Sequence, residues 1–152
     1  MLQRMKILVT LILGSIALLF LLGFFSKPPK TLGVTNGKLA QCTEAKNCVS
    51  SQAGDEAHSI APIEATGDSK RVTTLLTNSI NAMGGKVISI EGPYLWAEFT
   101  SKVFRFVDDV ECYYDQESGV IHIRSASRVG YYDFNANRKR VEELRQKFLA
   151  HN

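Results

Sequence analysis

The chain has 152 residues, of which 45% are hydrophobic and 22% charged. This composition is typical of a compact globular domain and excludes a collagenous or wholly disordered chain. Four of the 18 basic residues and none of the 15 acidic residues lie in the first 30 positions, so residues 31–152 carry a net charge of −1. So balanced a segment lacks the positive field that a phosphate backbone requires, and we expect no nucleic-acid partner.

The N-terminal segment is strongly apolar. Residues 7–25 form a run of 19 without a charge, and as a helix they reach roughly 28 Å, close to the hydrocarbon thickness of a bilayer. A cleaved signal peptide is the alternative, but it has a shorter apolar region of about 7–15 residues and a small-residue cleavage site, which Phe25-Ser26-Lys27-Pro28 does not provide. We therefore predict a membrane anchor over residues 1–26.

Two closely spaced cysteines, Cys42 and Cys48, follow the anchor. Their spacing allows a disulfide loop, which would contribute about 2 kcal/mol and would persist only in an oxidising compartment. Basic residues on the two sides of the apolar run nearly balance, so the cysteines decide the orientation. We expect a single-pass protein of the bacterial inner membrane with its C-terminal domain in the periplasm.

Zinc is the other interpretation of two close cysteines. It requires two further ligands, and the remaining Cys112 and three histidines have spacings that match no zinc motif. Cys112 lies between apolar and aromatic residues of a strand and is expected to be buried and inert.

The rest of the chain divides into three parts. Residues 27–41 contain Pro28-Pro29 and Asn36-Gly37 and are predicted to be a tether. Residues 42–68 show neither helical nor strand periodicity, so this irregular segment is either pinned by the cysteine loop or lies over a functional surface. Together with the remainder they form one predicted domain over residues 42–152.

Regular elements begin at residue 69. A helix capped by Asp68 or Ser69 ends at Gly84-Gly85, and a last helix spans about residues 135–150. Between them we predict strands at 86–91, 94–101, 110–115 and 120–127. The simplest assembly is an α+β fold: a four-stranded antiparallel sheet with two helices on one face, preceded by the N-terminal transmembrane helix.

The register of the last two strands follows from their side chains. Placing Asp115 opposite Val120 puts the aliphatic residues of both strands on one face. The same register places Glu111 opposite Arg124 on the other face, so we predict a structural ion pair there.

Candidate binding residues concentrate between Arg124 and Arg138. Arg128 and Arg138 have no carboxylate that the sequence places beside them, and guanidinium groups suit carboxylate or phosphate ligands. We predict an anionic ligand site from the residues Arg128, Arg138, Ser127, Asn137, His58 and Trp96. The alternative is a structural network, in which Asp133, Asn135 and Asn137 cap the helix and Trp96 contacts the 42–68 segment.

The sequence also offers one enzymatic hypothesis and one metal-binding hypothesis, each with a pattern that speaks against it. Asp55, His58 and Ser50 or Ser51 could form a hydrolytic triad, but the sequence has no Gly-x-Ser-x-Gly elbow. The carboxylates Asp108, Asp109 and Glu111 could bind calcium, but pairing with arginines explains them equally well, and we expect no metal and no cofactor.

Four segments together resemble the domain-of-unknown-function family 1499, over about residues 32–149. They are 42–51 (CTEAKNCVSS), His58 with Ile60-Ala61-Pro62, 106–111 (FVDDVE), and 124–131 (RSASRVGY) with 137–142 (NRKRVE). The chain departs from the family pattern at Thr43, Ala45 and Lys46, where prolines and a serine are usual, and at Asn135, where glycine is usual. The resemblance implies an extracytoplasmic bacterial or plastid domain and assigns no activity.

The leading hypothesis is therefore a non-enzymatic, membrane-anchored extracytoplasmic domain. It would bind a protein partner or a small acidic or lipidic ligand through the Arg124–Arg138 surface and the 42–62 loop. The alternative is a hydrolytic enzyme that acts near the membrane with Asp55, His58 and a serine.

Overall fold

A computed structural model describes residues 2–151. The elements follow the chain in the order α1 (Leu2–Phe24), β1 (Cys48–Ser50), β2 (Ile63–Glu64), α2 (Ser69–Ala82), β3 (Lys86–Glu91), β4 (Tyr94–Thr100), β5 (Val107–Asp115), β6 (Val120–Ser127) and α3 (Ala136–Leu149). The fold is α+β, as predicted.

The sheet has six antiparallel strands, so the prediction of four was wrong. Its order is β1-β6-β5-β4-β3, and β2 also pairs with β6. Cys48 lies opposite Ala126 and Ile63 opposite Ile121, so the two extra strands share one edge of β6. They comprise three and two residues, which is too few to show a period-2 pattern in the sequence.

The predicted register of β5 and β6 is confirmed, with Asp115 opposite Val120 and Glu111 opposite Arg124. The aliphatic face of the sheet is covered by α2 and α3, which together close one hydrophobic core. Fully buried side chains of this core include Leu76, Ile80, Leu95, Val110, Ile121, Ile123, Leu144 and Phe148.

Both helices that cover the core begin at a carboxylate. Asp68 caps α2 by accepting a hydrogen bond from the Arg71 N–H at 2.7 Å. Before α3, Asp133 accepts from the N–H groups of Asn135 and Asn137 at 3.0 and 2.8 Å. Asn135 has φ 63°, so it adopts the left-handed conformation of the glycine that is usual at this position.

The stretch predicted to be a tether lies against the sheet. The Gly33 N–H donates to Glu111 Oε1 at 2.8 Å, and Leu39 is 3% exposed. A turn at Asn36-Gly37 is closed by hydrogen bonds between Thr35 and Lys38. Residues 27–41 therefore cover the face of the sheet opposite the helices.

Helix α1 projects from the domain with its apolar side chains exposed almost all round. Within residues 2–151 it is the one helix long and apolar enough to cross a membrane, which fits either an anchor or a signal sequence. Its last turns contact the β4–β5 connection, where the rings of Phe20 and Phe104 lie 5.4 Å apart.

Candidate ligand-binding site

Strand alternation places a cluster of charged residues on the sheet face opposite the helices. Glu98 projects from β4, Asp109 and Glu111 from β5, and Arg124 from β6, while Arg128 follows the end of β6. We call these five residues the polar-face cluster. Asp109 and Glu111 are 1% and 0% exposed, so the cluster is buried beneath the 27–47 segment rather than lying in solvent.

Glu111 is held by three donors. Arg124 Nη1 donates to Glu111 Oε2 at 2.9 Å, and the Tyr94 hydroxyl and the Gly33 N–H donate to Oε1 at 2.9 and 2.8 Å. Burial, together with the negative charge of Glu111, raises the pKa of Tyr94 well above its usual range. Full hydrogen bonding of this kind is what a carboxylate needs to remain buried.

Arg128 is paired with two carboxylates, although the sequence places none beside it. Its Nε and Nη2 donate to the two oxygens of Asp109 at 2.8 and 2.6 Å, and Nη2 also donates to Glu98. These hydrogen bonds raise the pKa of Arg128. Asp109 lies opposite Ala126, so Arg128 reaches it as a diagonal neighbour, which a direct cross-strand register does not reveal.

Arg124 is paired on one side only. Its Nε is buried and has no hydrogen-bond partner among the described residues, and its Nη1 is the only nitrogen that reaches one. The residue is 7% exposed. A guanidinium carries five N–H donors, so most of the hydrogen-bonding capacity of this buried cation is unused.

Arg124 lines a cavity of about 430 Å³ between the sheet and the 27–47 segment. The charged residues of its wall are three cations and one carboxylate, Lys27, Arg124, Arg128 and Asp109. Other parts of the wall come from Asn47, Cys48, Ser127 and Gly130. Asp109 is already engaged by Arg128, so the cationic N–H donors on this wall without an acceptor among the described residues belong to Arg124 and Lys27. A carboxylate or phosphate group would complement them.

Asn137 lies outside this cavity wall. It is fully buried at the start of α3, where its Nδ2 donates to the Asn47 carbonyl at 2.9 Å and to Ser127 Oγ at 3.0 Å. Arg140 donates to Asn137 Oδ1 and to Asp108, both at 2.6 Å. This arrangement joins α3 to the end of β6 and to the 42–48 loop.

Arg138 lies by a separate cavity of about 160 Å³, which is also lined by Lys46, Tyr132, Asp133 and Asn135. It donates to the carbonyl oxygens of Ser59 and Ala57 at 2.8 and 3.1 Å. The structure therefore separates Arg138 from Arg128, although the sequence suggested one site for both.

His58 is held within the 42–62 loop by both ring nitrogens. Nδ1 lies 2.8 Å from Asp55 Oδ1, and Nε2 lies 3.2 Å from the Ala45 carbonyl oxygen. The His58 backbone N–H, which donates to Asp55 Oδ1 at 3.0 Å, and the His58 Nδ1 contact lower the pKa of Asp55. A carbonyl accepts but does not donate, so Nε2 must carry a proton to make this contact and cannot take a proton from a nucleophile.

The two candidate serines are engaged elsewhere. Ser50 Oγ accepts from the Gln52 N–H at 3.2 Å. Ser51 Oγ accepts from the Ile123 N–H at 2.9 Å and lies 3.4 Å from His122 Nδ1. Neither hydroxyl hydrogen-bonds to His58 in the described chain, so the triad suggested by the sequence is not assembled.

Trp96 belongs to the polar face. Its Nε1 donates to Asp109 Oδ1 at 2.9 Å, and it lines a cavity of about 630 Å³. The chain on the other side of this cavity comes from residues 28–34 rather than from the 42–68 segment that the sequence suggested.

The predicted disulfide between Cys42 and Cys48 is present, with the two Cα atoms 5.7 Å apart. Cys48 forms part of the wall of the cavity at Arg124, so the disulfide fixes one side of that cavity. Cys112 is free and buried on the helix-covered face, and its burial raises the pKa of its thiol.

The cavity wall includes residues that were not named as binding residues from the sequence, among them Arg124, Lys27 and Asn47. From the sequence, Arg124 was assigned only to the ion pair with Glu111. Arg124 and Arg128 nevertheless lie on the same face of the sheet, because they are four residues apart and side chains alternate between the two faces along a strand. Lys27 and Asn47 carried no signal, since their positions depend on how the 27–47 segment crosses the sheet.

These features define an α+β domain in which a disulfide-closed loop and an N-proximal segment enclose a cavity, lined by three basic residues and one carboxylate, on the polar face of an antiparallel sheet. The chain belongs to the family described as "Protein of unknown function (DUF1499)", which it matches over residues 38–148. The resemblance noted in the sequence is thus confirmed. No curated protein and no solved structure matches the chain.

Proposed function

We propose that this protein is anchored in the bacterial inner membrane by α1 and that its periplasmic domain binds a small anion, a carboxylate or phosphate compound, in the cavity at Arg124. The domain acts by binding and not by catalysis. The observation that carries this proposal is the buried Arg124 guanidinium, whose Nε lacks a partner within residues 2–151 while its side chain lines a cavity with a cationic majority.

The unpaired Nε of Arg124 is energetically costly to bury. Leaving such a donor unsatisfied costs about 1–3 kcal/mol, and more when the group is charged. A purely structural cluster avoids this cost, as Arg128 does with three side-chain hydrogen bonds to Asp109 and Glu98. An anion in the cavity would accept hydrogen bonds from the guanidinium of Arg124 and from Lys27.

The remaining predicted site residues support the cavity in different ways. Arg128 and Ser127 form part of its wall. Arg138 holds the backbone at residues 57–59, and His58 holds the loop at Ala45, which is itself a wall residue. These contacts position the 42–62 loop beside the ligand.

The disulfide supports the periplasmic location, because such bonds persist in oxidising compartments. The location is tested with reporters fused after residue 30. Alkaline phosphatase fused there should be active in cells, since it folds only when exported. Activity of a cytoplasmic reporter at the same junction, with an inactive phosphatase fusion, would overturn the orientation.

Binding is tested with the full chain in non-ionic detergent micelles. Inorganic phosphate or succinate, added at constant ionic strength, should raise the melting temperature in a saturable manner, because a ligand that binds only the folded state stabilises it. In the double variant Glu111→Leu/Arg124→Met the response should be lost. This variant removes both members of the pair, so no unpaired charge is left behind.

The matched control is Asp108→Leu/Arg140→Met. This pair is similarly charged, lies at 2.6 Å and has 14% of each side chain exposed, but neither residue lines the cavity. The control should keep the response to phosphate or succinate. Equal loss in both double variants, or no saturable response in the unsubstituted protein, would contradict the proposal.

A further inference from the structure

The connection between β4 and β5, residues 101–106, combines apolar and basic side chains. Its sequence is Ser-Lys-Val-Phe-Arg-Phe, and its only charges are the positive groups of Lys102 and Arg105. Val103 is 63% exposed at the tip. Exposed bulky apolar side chains between basic ones are typical of segments that bind the interfacial region of a bilayer.

This loop lies directly against the apolar helix. The rings of Phe104 and Phe20 are 5.4 Å apart, and the rings of Phe104 and Phe106 are 5.7 Å apart. At Gly23 the helix approaches so closely that a Cβ would lie 2.1 Å from the Phe104 carbonyl oxygen. The glycine therefore permits a backbone contact between α1 and the loop that any other residue would prevent.

The contact also fixes the depth of the loop along the helix. Phe20 precedes the helix end at Phe24 by four residues, or about 6 Å of rise. Interfacial segments bury their apolar side about 5–10 Å into the boundary between headgroups and acyl chains. A second contact with the domain lies close to the helix end, where Arg128 Nη1 donates a hydrogen bond to the Ser26 carbonyl oxygen at 3.3 Å.

We infer that residues 101–106 form a membrane-binding loop that inserts Val103 and Phe104 into the bilayer beside the anchor, with Lys102 and Arg105 on lipid phosphates. The inference rests on the proposed membrane anchor and is independent of the anion site. The occupant is the lipid bilayer, because the loop surface is continuous with the lipid-facing surface of α1. The domain is thereby held close to the membrane in a fixed orientation.

The test uses the full chain in nanodiscs of equal parts phosphatidylcholine and phosphatidylglycerol. Single cysteines are introduced by Val103→Cys, Leu13→Cys and Leu149→Cys and labelled with a small fluorophore, while the native cysteines are either disulfide-bonded or buried. Leu149 is the matched control. It is 51% exposed and apolar, but it ends a 14-residue helix that begins beside Ser127 and extends about 20 Å away from it.

Lipids that carry a nitroxide either near the headgroup end or near the methyl end of the acyl chain then quench the labels by contact, the former at the depth of the loop and the latter near the bilayer centre. Labels at positions 13 and 103 should lose most of their fluorescence, and the label at 149 should keep it. Quenching at 13 without quenching at 103 would overturn the loop inference and leave the anchor intact. No quenching at 13 would overturn the anchor as well, and equal quenching at 149 would show that position 103 is not specifically inserted.

The basic residues are tested in the same system. Lys102→Glu/Arg105→Glu should reduce the quenching at position 103 in discs that contain phosphatidylglycerol, because the loop would then be repelled by the anionic surface. Unchanged quenching would show that Lys102 and Arg105 do not contact lipid phosphates. Quenching at position 13 serves as the internal standard, since the anchor does not depend on these charges.

Discussion

The two faces of the sheet differ in how completely their side chains are satisfied. On the helix-covered face, aliphatic residues such as Val110 and Ile123 are fully buried among other apolar side chains. On the opposite face, Glu111 and Asp109 are buried almost as deeply, but among arginines. Apolar burial stabilises a fold directly, whereas a buried ion pair is a poor source of stability because desolvation offsets its attraction.

The fold therefore requires the apolar face for its stability, whereas it only tolerates the buried charges of the polar face. Hydrophobic residues could have replaced the polar-face cluster at little cost in stability. The chain instead keeps buried charges beneath the 27–47 segment and leaves one guanidinium partly unpaired beside a cavity. Under the proposed function, the polar face serves ligand binding, while the apolar face stabilises the fold.

The largest effect is expected where one member of the buried pair is removed. Glu111→Leu should lower the free energy of unfolding by about 3–5 kcal/mol, because Arg124 would lose its only hydrogen-bond acceptor in the described chain while still buried. Adding Arg124→Met should restore most of this loss. Urea unfolding of the single and double variants measures both changes.

The opposite face provides the control for this pair. Ile123→Ala should cost about 2–5 kcal/mol through lost burial and a residual cavity. Adding Arg124→Met to Ile123→Ala should restore none of it, since Arg124 lies on the other side of the sheet. Rescue in both backgrounds would mean that the methionine stabilises the sheet by itself.

A smaller effect is expected at the disulfide that borders the cavity. Cys42→Ser/Cys48→Ser should lower the free energy of unfolding by about 2 kcal/mol, because the unfolded chain is no longer constrained by the loop. Thermal unfolding measures this loss. Reductant should lower the melting temperature of the unsubstituted protein and leave that of the double variant unchanged; a reductant-sensitive double variant would contradict the assignment.

The entry to α3 should allow a gain in stability. Asn135 has φ 63°, a conformation that glycine adopts without steric cost. Asn135→Gly should therefore raise the free energy of unfolding, by up to about 1 kcal/mol, whereas Asn135→Ala should lower it. The melting temperatures of the two variants, each compared with that of the unsubstituted protein, test this prediction. Equal melting temperatures for the two variants would show that backbone strain at this position is negligible.

The smallest effect concerns His122 on the polar face, whose pKa is lowered by burial, an effect that the charge of Asp115 partly opposes. The unfolded chain then binds a proton at a higher pH than the folded chain, so stability contributed by the neutral imidazole is present above about pH 6.5 and falls as the pH drops through that value. His122→Phe, which keeps an aromatic ring beside Tyr113, should lose less melting temperature between about pH 7.5 and about pH 5.5 than the unsubstituted protein. His151→Gln, an exposed control, should behave like the unsubstituted protein.

The sequence was informative wherever a regular pattern acts over several residues. Both domain helices and strands β3–β6 follow from periodicity, and the β5–β6 register follows from matching aliphatic faces and from the opposition of Glu111 and Arg124. Strands β1 and β2 were missed because three and two residues carry no period.

The candidate site was less predictable because its contacts are diagonal or involve the backbone. Arg128 lies two positions beyond Ala126, the direct cross-strand neighbour of Asp109, and reaches Asp109 diagonally. The 27–41 stretch is fixed by the hydrogen bond that the Gly33 N–H donates to Glu111. Neither contact leaves a residue pattern. The unpaired Nε of Arg124 depends on both, so only the three-dimensional structure could identify it.

Binding of an anion to the Arg124 guanidinium should change the nuclear magnetic resonance signal of its Nε–H group. Nuclear magnetic resonance of the arginine-labelled full chain in detergent micelles resolves the Nε–H signals during titration with inorganic phosphate or succinate at constant ionic strength. We expect a saturable change in the chemical shift of the Arg124 signal. The chemical shift of Arg138, whose hydrogen bonds go to backbone carbonyls, should not change. An unchanged Arg124 signal, or equal linear shifts of both, would contradict anion binding at Arg124.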